Sequence, residues 1–359
     1  MEKILYLIPH LEKSSPVTQL YGMINYLDSS KFVAVVLSMF KERNNSEQQM
    51  FENRGVKVIN GNLDRWQLLS QKRLLKDIIE SEKPDIIHSC SVLTDGICSD
   101  IKTDTPIVLT LHCFIYEDIL TRYGKLLGKF MCKREERAIR KAAVAITVSQ
   151  TLAEKYKKII NRTYIPIQNG IELSLWQKSD NENQTALRKQ LGLPEDAFIV
   201  LSTNLLNSIK DPLLLLTAFS EAQIPNSALV MLGDGNLENE CNKIHAENIL
   251  FTGRVTNVKD YLYSADVLVS ASKSEGLPYA VLEAACTGIK MILTDIPQHI
   301  EVMHASSGVQ YFCCGDKEAL IQCLRKSSKE IGRTTYEIDR FSAKNMSSKY
   351  QNIYSELVE

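Results

Sequence analysis

Short apolar runs rich in Val and Ile recur along the chain. Between them lie stretches whose apolar positions fall three and four residues apart. The runs from Ile4 to Ile8, Phe32 to Met39, Val56 to Ile59, Ile86 to Ser89, Ile107 to Leu111 and Val144 to Val148 read as strands of a buried parallel sheet. Ser15-Pro16 opens a helix through Leu27, with Ser15 as N-cap and proline at the first helical position. Leu68 to Ser81 has helical spacing, and Lys83-Pro84-Asp85 ends it. Asn169-Gly170 is a turn pair, after which the pattern restarts. Phe198 to Ser202, Ala228 to Leu232 and Ile249 to Phe251 read as strands, and Pro212 to Ala222 as a helix. Gly233-Asp234-Gly235 reads as a tight turn. Val267 to Ser270 is a strand, Gly276 marks a turn, and Tyr279 to Cys286 is a helix with Pro278 at its first position. Gly288 is its stop and Ile289 to Leu293 the next strand. From about residue 333 the tail again has helical spacing. Strands alternating with helices in both halves predict two doubly wound α/β domains with parallel sheets.

Length and composition agree with that division and exclude some functions. A chain of 359 residues with 44% apolar residues holds two cores. The 42 basic residues are balanced by 43 acidic ones, which argues against bulk nucleic-acid binding. Nine cysteines are scattered without a C-x-x-C pair, which fits reduced thiols in a cytoplasmic protein. Glu2-Lys3 leading directly into a strand reads as no signal peptide, and no apolar run approaches a membrane span. The segment 122–141 is different. Arg122, Lys125, Lys129, Lys133, Arg134, Arg137, Arg140 and Lys141 outnumber Glu135 and Glu136, and Leu126, Leu127, Phe130 and Met131 supply an apolar face. This fits a helix lying on an anionic membrane surface, and equally an amphipathic helix packed on the sheet with a solvated basic face.

The candidate chemistry centres on residues 265–296. No Ser, Thr, Asp or Asn stands at position 277 to cap the helix that follows. The amides of Tyr279 and Ala280 are therefore expected to open toward an anion just beyond a strand's C-terminal end. Glu275 precedes this helix. Glu283 lies within it among Leu282, Ala284 and Ala285, so it should be partly buried and partnered. Spacing alone would make these a solvated loop residue and a surface helix residue. Lys210, in N-S-I-K-D-P after a strand and before a proline-started helix, is suited to a phosphate. Taken alone it is an exposed loop lysine.

The string S-x-S-E-G-L-P-x-A-x-L-E-A-x-x-x-G, framed by two strands, resembles the signature of the family 4 retaining glycosyltransferases. The phrases K-P-D-I-I-H (83–88), V-L-T-L-H (108–112), A-I-T-V-S (145–149) and I-Q-N-G-I (167–171) follow in the family's order. The resemblance covers most of the chain, from Ile4 to about Tyr354. It implies the GT-B fold, two Rossmann-like domains facing a cleft. The domains would be 1–165 for the acceptor and 166–332 for the nucleotide sugar, with 333–359 a helix returning to the first. Lys210 would contact the diphosphate and Glu283 the ribose hydroxyls. Glu275 would face the donor sugar, with Ser274, Gly276, Leu277 and Pro278 around sugar and phosphate. Arg254-Val255 would grip the base, and His112 would meet the sugar from the opposite domain. His88 reads as structural. Ser14 and Ser15 occupy a loop that touches acceptor or phosphate in the family, where glycines are usual. Leu205 stands where the family carries an arginine on the phosphates and cannot replace it, so either Arg254 or a lysine of the first domain compensates, or turnover is weak.

The activity implied is transfer of a hexose from a nucleotide sugar, by family habit a UDP-sugar, to a hydroxyl of a glycan acceptor. The pathway implied is bacterial surface polysaccharide synthesis (O-antigen, capsule or exopolysaccharide). No metal and no cofactor beyond the nucleotide sugar are implied. The place of action would be the cytoplasm, extending to the inner face of the plasma membrane where lipid-linked acceptors lie. Leu205 leaves open a second reading, a non-catalytic subunit that binds a sugar nucleotide or glycan. An epimerase of the same fold would lack the E-G-L-P…L-E-A string.

Overall fold

In a computed structural model the described residues are 1–42, 45–177, 183–244, 246–304, 306–330 and 332–359. They form two compact units, Met1–Glu172 with Phe341–Glu359, and Leu173–Arg340. These limits lie later than the expected boundaries at 165 and 332.

The first unit is built on seven parallel strands: β1 (Glu2–Ile8), β2 (Phe32–Phe40), β3 (Lys57–Leu63), β4 (Ile86–Ser89), β5 (Ile107–Leu111), β6 (Val144–Thr147) and β7 (Ile165–Pro166). Their order is β3-β2-β1-β4-β5-β6-β7. The chain moves outward from β1, then crosses back to lay β4 on its other side, pairing Ile4 with Ile86 and Ser89 with Leu7. The reversal at β1/β4 splays the following loops apart at the strands' carboxyl ends, which is where such sheets bind ligands. Both faces are covered by apolar side chains, as the continuous Val/Ile/Leu runs require.

The helix Ala343–Val358 belongs to this unit. Met346, Tyr350, Ile353 and Tyr354 enter the same core as Ile4, Tyr6 and Val36. His88 lies between them, its Nδ1 2.6 Å from Tyr354 Oη and its Nε2 2.8 Å from Thr110 Oγ1, with its ring stacked on Tyr350. Burial pushes its pKa down to about 3, so it is a neutral structural residue.

The second unit has six parallel strands: β8 (Phe198–Ser202), β9 (Ser227–Leu232), β10 (Ile249–Gly253), β11 (Val267–Ser270), β12 (Lys290–Thr294) and β13 (Val309–Phe312), ordered β10-β9-β8-β11-β12-β13. The reversal here falls between β8 and β11, which pair from Val267 with Val200 to Leu268 with Leu201.

Several local expectations are corrected. Ser14, not Ser15, is the N-cap of the helix Ser15–Asn25, and its side chain makes no cap bond. Pro278 is the N-cap of Tyr279–Thr287 rather than its first residue. Residues 333–342 are not helical beyond one short 3₁₀ turn, and the terminal helix starts at Ala343. Gly170 is not a turn glycine. A Cβ there would stand 2.7 Å from Ala343 Cα, so its lack of a side chain lets the terminal helix begin against it. The helix through 122–141 runs from Ile115 to Lys141 and is broken at Gly124, where φ is 73°.

Candidate active site

Two loops meet at the β8/β11 reversal. The loop after β8 carries Thr203 to Asp211, and that after β11 carries Ala271 to Pro278. Lys273 N–H donates to Ile209 O at 2.8 Å and ties the two backbones together. Lys210 Nζ crosses from the first loop to Glu275 Oε1 on the second, and these side chains are only 20% and 9% exposed. A charge this buried is tolerated because it is paired. Burial raises the Glu275 pKa. The Lys210 ammonium, then His299 and the Ser272 hydroxyl, more than offset that, and the net direction is down. Glu275 is therefore held as a carboxylate.

A buried polar row stands behind Glu275. Ser270 Oγ lies 3.2 Å from Ser272 Oγ and 3.4 Å from His299 Nε2. His299 Nδ1 lies 2.9 Å from Thr294 O, which only accepts, so that nitrogen carries the hydrogen. Nothing along the chain singles out His299 except its place as a polar residue on a short helix, Pro297–Met303, just past the end of β12.

The loop after β8 also leans on its other neighbour. Leu206 N–H donates to Asp234 O and Leu237 N–H to Leu206 O, each at 2.9 Å. A Cβ on Gly235 would stand 2.2 Å from Leu206 O, so the Gly-Asp-Gly stretch is a seat for this loop rather than a free-standing turn. Thr203 Oγ1 is buried with no partner among the described residues. Leu205 is 42% exposed. Arg254 Nε donates to Asp234 Oδ1 at 2.8 Å, which ties it beside the carboxyl ends of β9 and β10. Val255 is half-buried next to it.

At the helix start Leu277, Pro278 and Tyr279 are buried, and Ser274 and Gly276 half-buried. Val281 and Leu282 N–H both share Pro278 O at 3.2 Å, so the last amides of the first turn already have an acceptor. Glu283 is half-buried in the next turn, as its apolar neighbours implied. Lys210, Glu275 and the 274–278 stretch are thus brought to one strand-end cluster.

The remaining expected residues lie in the first unit. His112 follows β5; its Nε2 is buried and has no partner among the described residues. Burial pushes its pKa down to about 4, so the ring is neutral at neutral pH. Ser14, in the loop after β1, and Ser15, the first residue of the helix that follows, are both exposed. Among the described residues no group of three His, Cys, Asp or Glu could hold a metal ion, and no helix is long and apolar enough to cross a membrane.

The model of the group 1 glycosyl transferases matches residues 183–330, and that of glycosyltransferase family 4 matches residues 17–175. The Bacillus subtilis glycosyltransferase TuaC, whose name places it in teichuronic acid biosynthesis, is 33% identical over 220 residues, 59% of this chain and 54% of that protein. An Escherichia coli UDP-Gal:α-D-GlcNAc-diphosphoundecaprenol α-1,3-galactosyltransferase is 28% identical over 257 residues, 65% of this chain and 62% of that one. The matches thus span little more than half the length of these relatives. The crystal structure of HepE from Anabaena with UDP and glucose superposes with a TM-score of 0.80 at 15% identity, covering 99% of this chain and 100% of that one. That likeness gives the fold, GT-B.

Proposed function

Because the chain belongs to the family 4, group 1 glycosyltransferases, we propose that it moves a sugar from a UDP-sugar to a hydroxyl of a lipid-linked surface glycan with retention at the anomeric carbon. The observation that carries this reading is the Lys210–Glu275 pair at the β8/β11 reversal. The bond from the anomeric carbon to the diphosphate breaks with its electron pair leaving on the diphosphate. The acceptor oxygen forms the new bond, and its proton passes to the departing phosphate oxygen. Charge grows on the diphosphate, so a lysine already held there stabilises the transition state without rearrangement. Glu275, fixed as an acceptor-only carboxylate, takes hydrogen bonds from sugar hydroxyls, and Glu283 does the same for the ribose diol. The 274–278 backbone surrounds sugar and phosphate, and Arg254-Val255 the base. His112 offers its neutral Nε2 to a sugar hydroxyl, which would satisfy an atom the resting fold leaves bare. Ser14 and Ser15 present hydroxyls to the acceptor.

The lipid-linked acceptor calls for a membrane surface, and the first unit supports one. Arg134 and Arg137 are bound to Asp100, and Lys141 donates to Ser99 O. Lys125, Lys129 and Lys133 instead stand exposed around Leu126, which is 91% exposed, and the exposed Phe130. Trp66 and Leu69, 77% and 86% exposed at the start of the helix Leu68–Glu82, add a second apolar point beside Lys72 and Arg73. Basic residues around exposed Trp, Phe and Leu suit an anionic bilayer.

The test is release of nucleoside diphosphate from a panel of UDP- and GDP-sugars. Each is mixed with vesicles carrying undecaprenyl diphosphate-linked saccharide, and the product anomer is read by NMR. Release of UDP with an α-linked product is expected. Binding without turnover in every combination favours the non-catalytic reading that the exposed Leu205 leaves open. Vesicle binding unchanged after Lys125, Lys129 and Lys133 are neutralised removes the membrane component.

A further inference from the structure

The two loops at the β8/β11 reversal are joined by a crossed pair of ion pairs. Lys210 of the first loop reaches Glu275 of the second. Lys273 of the second reaches back to Asp211 of the first, Nζ to Oδ2 at 2.7 Å. With the bond from Lys273 N–H to Ile209 O, these put two lysines at the carboxyl ends of two adjacent strands.

Asp211 breaks two local rules to make its bond. It is the N-cap residue of the helix Pro212–Ala222, where an aspartate ordinarily accepts from the first-turn amides, yet it makes no cap bond. Its φ is 48°, a left-handed conformation that favours glycine. A side chain withdrawn from its cap and held on a lysine, in a strained backbone at a ligand-binding reversal, has the character of a functional device rather than a stabilising one.

A diphosphate asks for more than one cation. Leu205, on the same loop, supplies none. Arg254 is paired with Asp234 beside β9 and β10, on the far side of β8 from the reversal. Lys210 is committed to Glu275. The Lys273–Asp211 pair is the more open of the crossed pairs, with side chains 50% and 18% exposed, and solvent-screened pairs of this kind are cheap to exchange.

We propose that Lys273 is a second ligand of the donor's diphosphate, parked on Asp211 in the resting protein and surrendered to the phosphate when the donor binds. This rests on the glycosyltransferase reading and extends it to a residue outside the expected set. A lone carboxylate cannot compete for the ammonium with a diphosphate that offers several charged oxygens and is also held by Lys210. Breaking the pair with Asp211 is a cost that donor binding must meet, so removing that carboxylate should not weaken binding.

The experiment is calorimetric titration of the full chain with UDP and with uridine at low and moderate salt. The variants are Lys273→Met, Lys273→Arg and Asp211→Asn. In Lys273→Met the affinity for UDP should fall about tenfold and its salt dependence should flatten, with uridine binding unchanged. Lys273→Arg should keep UDP binding within about threefold of the unaltered chain. Asp211→Asn, which removes the competing carboxylate, should bind UDP as tightly as the unaltered chain or more tightly. The proposal is overturned if Lys273→Met binds UDP normally, or loses UDP and uridine in equal proportion. It is also overturned if Asp211→Asn weakens UDP as much as Lys273→Met does, because the pair would then be a loop clasp. An unaltered chain that binds neither UDP nor GDP overturns the function above together with this proposal. Normal UDP binding by both the chain and Lys273→Met overturns this proposal alone.

Discussion

Replacing Lys210 by methionine should cost stability in a pH-dependent way, and the sign follows from what surrounds Glu275. Burial favours the protonated acid; Lys210, His299 and Ser272 reverse that preference. In the unaltered chain the folded-state pKa lies below the unfolded one. The pair therefore contributes stability above the unfolded pKa and loses it as pH falls through the folded value. Without Lys210 burial prevails, and the Glu275 pKa rises above its unfolded value. The variant then gains stability as pH falls and loses it as pH rises, the opposite slope. The deficit relative to the unaltered chain should be small near pH 4, where Glu275 is protonated in the variant. At pH 7.5 it should reach about 3 kcal/mol, the low end for breaking a buried pair, given that Lys210 retains some solvent. For a unit of this size that is a fall in Tm of about 6–12 °C. The chain has two tryptophans, Trp66 in the first unit and Trp176 in the second. Trp176 emission in a Trp66→Phe background therefore reports the second unit during urea or thermal unfolding. Adding Glu275→Gln to Lys210→Met removes the stranded charge and should recover most of the loss at pH 7.5. A deficit equal at pH 4 and pH 7.5, or one that Glu275→Gln does not relieve, would refute the electrostatic account.

Two further expectations concern the first unit. Asp95 and Glu135 are both fully buried next to each other, and the Ser89 hydroxyl and Ser91 backbone offset only part of the burial of Asp95. Burial pushes Asp95 up to about 8 and Glu135 well above its ordinary value. The folded unit thus keeps protons that the unfolded chain releases. Stability should fall with rising pH near pH 7.5 to 8, by about 1.4 kcal/mol per pH unit for each of the protons kept, a window in which His88 and His112 are neutral in the fold and have lost most of their charge in the unfolded chain. Asp95→Asn with Glu135→Gln should flatten that slope in urea titrations, and an unchanged slope would exclude the pair as its source. His112→Phe should remove an unsatisfied buried nitrogen and stabilise the first unit by about 1–2 kcal/mol while abolishing turnover and sparing UDP binding. A variant that is destabilised, or that retains turnover, contradicts the role given to His112.

What the sequence made legible, and what it hid, divides along the range of the interactions. Val267–Ser270, Ile86–Ser89, Ile107–Leu111 and Phe198–Ser202 have the bounds their composition indicates, because a strand covered on both faces is largely apolar and its few polar residues, such as His88 and Thr110, must be paired. The edge strand Val309–Phe312 is half-buried and carries Gln310, so it offers no such run. The helix Val92–Ser99 contains Asp95 and Gly96, which local preference does not place in a helix. Its burial against the helix Ile115–Lys141 decides the matter instead. Gly170 reads locally as half of a turn pair, yet its reason lies with Ala343, far along the chain.

The site shows the same division at closer range. Lys210, Glu275 and Glu283 were visible as residue types at strand ends and in a family string, and strand order then explains why the first two meet. Loops that leave neighbouring strands on one side of the reversal turn to the same face of the sheet, but at the reversal they turn to opposite faces and leave the strand ends open between them. In the second unit that opening lies between β8 and β11, the strands whose loops carry Lys210 and Glu275. No spacing could announce the second crossing, because Lys273 and Asp211 lie in different strand–loop segments and each has an ordinary local role, a loop lysine and a helix-capping aspartate. Only the bond between them shows the cap unused and the lysine restrained. Chemistry set by residue type is therefore readable along the chain, whereas chemistry set by which loops a strand order brings together must be read from the fold. The loss of an arginine at Leu205 and the placement of a lysine at 273 are separate in sequence, but they bear on the same few ångströms of space above one pair of strands.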